Sequence, residues 1–147
     1  MRALVQRVSE ASVEVGGIVS GQIGRGILVF LGVHQADTKG NADYLANKVI
    51  QLRIFPDKQG KMNLSLPDIS GELLVVSQFT LYGETKKGNR PSYSQAARPE
   101  VAVQLYNYFI EVCRQKGISV STGIFQADMK VRLINDGPVT LFCYSES

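Results

Sequence analysis

The stretch Ser77-Gln78-Phe79-Thr80-Leu81 puts two hydroxyls and a carboxamide directly behind four aliphatic residues, Leu73 to Val76. A strand buried on both faces that ends in hydrogen-bonding groups is one way to build a binding site. The plainer alternative is a strand surfacing into a turn, its hydroxyls solvated or bonded to nearby backbone. From these residues alone the plainer reading comes first. An alcohol nucleophile needs a base within reach, and neither Ser77 nor Thr80 has one in its local sequence. The single histidine, His34, ends a different apolar run and reads as a surface residue. Aspartates and glutamates are scattered, without a pair. Cys113, Cys143 and His34 cannot fill a four-ligand zinc site unless carboxylates join, so no metal and no cofactor is expected. The two cysteines read as buried free thiols rather than a disulfide framework.

The second informative stretch is Asn135-Asp136-Gly137-Pro138-Val139-Thr140. Pro138 stands where a strand should begin, after turn-like residues. The default is an ordinary trans turn, since only about 5–6% of X-Pro bonds in folded proteins are cis. A Gly-Pro presented on a turn exposes bare backbone carbonyls, a rigid surface suited to steric discrimination. Lys86, Lys87 and Arg90 fall close together, with Arg98 a little further on and Glu84 the one acid between Leu81 and Pro99. Such a loop could hold phosphates. As a lone feature, a short basic loop is ordinary solvated surface.

The 147 residues are expected to form one domain, residues 1–147. Such a length buries about two thirds of its unfolded surface. Apolar content of 44% and charged content of 20% describe an ordinary globular chain, and a net charge of +3 does not by itself suggest nucleic acid. No apolar run approaches the ~20 residues of a membrane span. Gln6, Arg7 and Glu10 interrupt any leader-like apolar region at the start, so a cytoplasmic protein without a membrane partner is expected.

These groups must be positioned by many strands and two helices. Residues 2–8 alternate, with Leu4, Gln6 and Val8 on one face and Ala3, Val5 and Arg7 on the other. Arg7 is therefore either a sheet-edge charge or an inward-pointing donor. Gly16-Gly17 reads as a two-residue hairpin turn, and Ile27 to Leu31 as a second fully apolar strand. The glycines from Gly16 to Gly26 contain no G-x-G-x-x-G leading into a helix. A helix is predicted from about Thr38 to Gln51, through Ala42, Leu45, Val49 and Leu52. A second helix starts at Pro99 and stops at Gly117, with Val101, Leu105, Tyr108 and Val112 as its apolar stripe. Short strands are predicted around Arg53–Phe55, Lys61–Leu66, Ile118–Val120, Met129–Leu133 and Val139–Tyr144, with loops at Pro67–Gly71 and 83–98. Without regular βαβ alternation, the class is α+β: antiparallel or mixed sheets curling into a barrel-like core, with two main helices.

Taken together, the Ser77–Leu81 and Asn135–Thr140 motifs resemble the D-aminoacyl-tRNA deacylase family. The opening Arg2–Val8, the Gly60-Lys61-Met62-Asn63 turn, Arg90-Pro91-Ser92 and Ala127-Asp128-Met129 resemble it too, so the likeness covers essentially the whole chain. Ser77 and Phe79 argue against a related vertebrate-type paralogue. The resemblance implies a homodimer with the active site at the subunit interface, acting on aminoacyl-tRNA. It implies hydrolysis of the ester between a D-amino acid, or glycine, and the 3′-terminal adenosine. Ser77, Gln78, Phe79 and Thr80 would form the catalytic stretch, with backbone N–H groups near Phe79 and Thr80 stabilising the oxyanion. The substrate's own 2′-hydroxyl would help to activate water. A cis Gly137-Pro138 would exclude L side chains from the partner's pocket, oriented by Arg7, with Met129 a further apolar contact. Lys86, Lys87 and Arg90 would meet tRNA phosphates. Two other classes stay open: a tRNA-binding module without catalysis, and a β-sheet dimer with neither property.

Overall fold

The computed structural model describes residues 1–145. Alternation in the opening segment produces β1 (Arg2–Val15), which turns at Gly16-Gly17 into antiparallel β2 (Ile18–Ile23). The apolar run that follows is β3 (Gly26–Gly32), antiparallel to the first half of β1. Helix α1 (Lys39–Gln51) starts at Thr38, whose side chain and backbone exchange hydrogen bonds with Asn41, satisfying amides at the helix start. After the short pair β4 (Phe55–Pro56) and β5 (Met62–Leu64), β6 (Glu72–Ser77) runs parallel to β3. Helix α2 (Pro99–Gln115) leads to β7 (Ser119–Thr122), parallel to β6, and β8 (Lys130–Tyr144) returns along β1.

The main sheet has the order β2-β1-β3-β6-β7, with β8 on the other edge of β1. It curls until β7 reaches back to β2: a Cβ on Gly21 would lie 2.4 Å from the carbonyl oxygen of Thr122, and Ser121 Oγ donates to Gln22 O at 3.3 Å. The mixed sheet is thus nearly closed into a barrel. Its interior holds Val8, Val13, Leu28, Leu74 and Val76, while Val5, Val29, Leu73 and Val75 face the two helices. That double burial is why β3 and β6 read as unbroken apolar runs.

The segment after Ser77 leaves the strand at once, as the plainer reading has it, and Phe79–Tyr82 forms a 3-10 turn. Three expectations are corrected. Pro67–Ile69 is likewise a 3-10 turn rather than plain loop. The buried stripe of α2 is Ala102, Leu105, Tyr106, Phe109, Ile110 and Cys113, with Val101 exposed. The apolar arc of this helix is wider than one stripe: Tyr106 reaches Val75 O of β6, while Tyr108, on the neighbouring side, donates to Asp43 of α1 at 2.7 Å. Finally, β8 is one strand and not two. Gln6 pairs with Thr140 and Val8 with Asn135, so residues 136–139 bulge out opposite Arg7 while the ladder continues on both sides. Proline is tolerated there because a bulged residue owes the ladder no N–H. Cys113 is buried as expected, and Cys143 only half-buried. Among the described residues no helix is long and apolar enough to cross a membrane.

Tyr106 on α2 donates its hydroxyl to the Val75 carbonyl at 2.9 Å, just where β7 gives out. Burial pushes this phenol up to about 12 and the Cys113 thiol likewise to about 12. The neutral forms are favoured by folding, so their contribution is intact below the unfolded pKa values and is lost as pH rises toward 12. Tyr106→Phe is expected to cost about 1 kcal/mol at neutral pH. Denaturant unfolding against pH should also show it losing less stability than the parent above about pH 10.

Candidate active site

Strands β3 and β6 end side by side, Leu31 opposite Ser77, and the Gln78 amide donates to Leu31 O at 2.8 Å. The chain then tightens into the 3-10 turn, closed by Leu81 N to Gln78 O at 3.2 Å and Gly83 N to Thr80 O at 2.9 Å. Neither of these bonds uses the N–H of Phe79 or Thr80, the first donors of the turn. Arg2 holds the turn from outside. Its Nη1 donates to Leu81 O at 3.0 Å, and its guanidinium lies 4.3 Å from the Tyr82 ring centroid. Tyr82 is buried and meets His34 edge-on at 5.3 Å.

Beside this turn lies a pocket of about 680 Å³. Ser77, Gln78, Phe79 and Met129 line it, so four of the residues singled out from the sequence converge. The walls are otherwise largely apolar and small: Ala96, Ala97 and Ala102 come from the loop after the 3-10 turn and from α2, and Phe125 and Gln126 from the loop between β7 and β8. Sequence reasoning missed these contributors. Gln126 has a left-handed backbone, φ 65°, and nothing in its type signals that. Alanines carry no chemical signature at all.

Thr80 is exposed just past the pocket lining, and its hydroxyl accepts a hydrogen bond from the Gln78 carboxamide. The Nδ1 atom of His34 accepts the Ala36 amide at 3.0 Å. The geometry thus offers an apolar cavity edged by hydroxyl, carboxamide and backbone N–H groups. It can bind and polarise a carbonyl better than it can activate a side-chain nucleophile. Among the described residues no group of three or more His, Cys, Asp or Glu could hold a metal ion.

The other singled-out residues lie elsewhere. Gly137 and Pro138 are exposed in the β8 bulge, joined by a cis peptide bond. Arg7 is the half-buried donor beneath them: its Nε reaches Asp136 O at 2.7 Å and its Nη1 reaches Ile54 O at 2.6 Å. Asn135 brackets the bulge, accepting from Val139 N at 2.7 Å and donating to Val139 O at 3.2 Å and Thr140 Oγ1 at 3.0 Å. Arg7 pairs with Ile27, four residues before the Leu31 that adjoins Ser77. That offset is roughly 13 Å along the strand. Lys86, Lys87 and Arg90 are exposed in a loop pinched shut by Glu84 N to Ser92 O at 2.7 Å and the reciprocal bond at 3.0 Å. Asn135→Ala is expected to speed amide exchange at Val139 by at least tenfold relative to amides of β3, read by hydrogen–deuterium exchange; a loss of about 1.4 kcal/mol corresponds to that factor.

Residues 4–144 match the family described as D-Tyr-tRNA(Tyr) deacylase. The D-aminoacyl-tRNA deacylase of Geotalea uraniireducens (strain Rf4) is 61% identical over 140 residues, covering 95% of this chain and 90% of the relative. That of Bacillus velezensis (strain DSM 23117 / BGSC 10A6 / LMG 26770 / FZB42) is 56% identical over 146 residues, covering 99% of each. A solved structure of the c-Myc DNA unwinding element binding protein is 42% identical with a TM-score of 0.94, over 100% of both chains. A probable eukaryotic D-amino acid tRNA deacylase shares the fold, with a TM-score of 0.83 over 97% of both chains at 18% identity.

Proposed function

The chain belongs to the D-Tyr-tRNA(Tyr) deacylase family, and on that premise we propose how it works as a proofreading hydrolase of D-aminoacyl-tRNA. Water attacks the ester carbonyl of a D-amino acid, or of mischarged glycine, carried on the 3′-terminal adenosine. The bond to the ribose oxygen breaks, and tRNA and free amino acid leave. The observation that carries this reading is the pocket at the end of β6, edged by Ser77, Gln78 and Phe79 where the chain enters the 3-10 turn. Ser77 and Gln78 hold the amino group or ribose, Phe79 and Met129 shape the cavity, and the N–H groups of Phe79 and Thr80 stabilise the oxyanion. The missing base is supplied by the substrate's 2′-hydroxyl. The setting is the cytoplasm.

Chiral selection requires a second copy. Within one chain the Gly137-Pro138 bulge and the pocket lie at different levels of the sheet. The long outer edge strand β8 also exposes Ile134, Leu141, Phe142 and Tyr144. An apolar edge of that length needs a cover, and a second copy supports a homodimer with the active site at the interface. Each bulge, held by Arg7, enters the partner's pocket, where its backbone fills the space an L side chain would need. Steric exclusion suits the task, since small apolar differences alone discriminate by only about 1–3 kcal/mol. Lys86, Lys87 and Arg90 meet the tRNA phosphates.

Deacylation of D-Tyr-tRNA and L-Tyr-tRNA tests the reading: the D ester should be lost and the L ester spared. A tRNA-binding module without catalysis would bind both and cleave neither. Replacing Lys86, Lys87 and Arg90 by Gln should weaken tRNA binding and flatten its log–log salt slope by about 0.7–0.9 for each phosphate no longer neutralised. The ratio of D to L hydrolysis should not follow; a changed ratio would assign the loop to the pocket.

Thr80 is the residue a motif search would name as nucleophile. Thr80→Ala is expected to keep substantial deacylation, well short of the roughly 10²–10⁴-fold loss that removing a general base causes. A substrate lacking the terminal 2′-hydroxyl, with its amino acid on the 3′-oxygen, should be cleaved far more slowly. A trapped aminoacyl-Thr80 ester would overturn this assignment.

A further inference from the structure

Phe79 and Tyr93 meet edge to face at the pocket mouth, with ring centroids 5.1 Å apart and planes at 71°. They stay 56% and 39% exposed, whereas Phe55 and Phe109 in the core are at 1% and 0%. Tyr93 is nonetheless held in place. Its carbonyl accepts the Ala96 amide at 3.1 Å, and Ser92 before it is bonded on both sides to Glu84. Its ring rests close against Gly83, where a Cβ would come to 3.0 Å from Cε1 and press on the ring. A rigid, part-exposed aromatic ring is thus joined directly to the loop that carries Lys86, Lys87 and Arg90.

We propose that Tyr93 is a stacking residue for the base of the nucleotide that precedes the terminal adenosine of the substrate tRNA. The proposal rests on the function proposed above. A cavity of about 680 Å³ suits a single small-molecule-sized group, here one aminoacyl-nucleoside. The next nucleotide must therefore leave over the rim, where Phe79 and Tyr93 stand. Its base then meets an aromatic ring, and its phosphates run toward the basic loop. Aromatic side chains paired with a cationic track are the general means of holding single-stranded nucleic acid, and stacking of this kind accepts any base.

The test compares kcat/KM on D-Tyr-tRNA with that on the D-tyrosyl 3′-ester of adenosine alone. The parent is set beside Y93A, Y93L and Y93F, with thermal unfolding of each. Y93A and Y93L should lose about 10- to 100-fold on the tRNA, mainly through KM, and much less on the nucleoside ester. Y93F keeps the ring and should stay close to the parent on both. Leucine fills the volume without an aromatic face, so the comparison stands even if the alanine variant fails to fold. Equal losses on the two substrates, or full tRNA activity in Y93L, would overturn the stacking role while leaving the hydrolytic reading in place. A parent protein that cleaves neither ester would overturn the hydrolytic reading and the stacking role together.

Discussion

Strand β1 has two edges, and three strands use them. One edge serves β3 along Arg2–Val8 and then β2 along Ala11–Val15, while the other carries β8 over nearly its whole length. A strand that changes partners on one side must coil between them, and the handover at Ser9 and Glu10 bends the sheet toward closure. The register irregularities of β8 fall against the same segment, at Gln6, Val8 and Glu10. The bulge that projects Gly137-Pro138 lies against this bent segment, with Arg7 bonded to Asp136 beneath it. Closure also brings β7 against β2 and fixes which end of β6 opens into a cavity.

The pocket owes its position to the opposite property, straightness. Strands β3 and β6 are short, parallel and buried on both faces, and they end together. Polar backbone leaving such a pair has to be satisfied at once, and the 3-10 turn, the Tyr106 hydroxyl and the Arg2 guanidinium do this within a few residues. The chemistry left over is mostly main chain. The side chains that line the cavity add hydroxyls and carboxamides but no carboxylate, imidazole or ammonium group.

The elements carrying the strongest patterns were legible beforehand. The Gly16-Gly17 hairpin, the apolar strands at 27–31 and 73–77, the Thr38 cap and the Gly117 stop all follow from local chemistry, and they stand where that chemistry puts them. The misplacements arise where tertiary packing decides among local options. Helix α2 has apolar residues around much of its girth, so its buried side depends on what it packs against. Asn-Asp-Gly-Pro looks like a turn between two strands unless the opposing strand accommodates a bulge. Ser77, Gln78 and Met129 could be named because two distant motifs agreed. Ala96, Ala97 and Gln126 could not, because shape is their contribution and single residues do not announce shape.

The ladder between β1 and β8 has a consequence for how the molecule is made. Arg2 pairs with Tyr144 and Glu14 with Lys130, so β1 finds its longest partner in a strand that follows all the others among the described residues. Pairings that far apart in sequence must close a large loop before they repay it, which slows folding. The β1–β2–β3 meander can form early, yet one edge of β1 stays open until β8 has been made. During that interval a nascent chain carries an unpaired strand edge, the feature most prone to pairing with the wrong neighbour. The glutamates at 10 and 14 and the arginines at 2 and 7 are spaced along that edge. Charged side chains along an open strand edge are a general means of discouraging such mispairing.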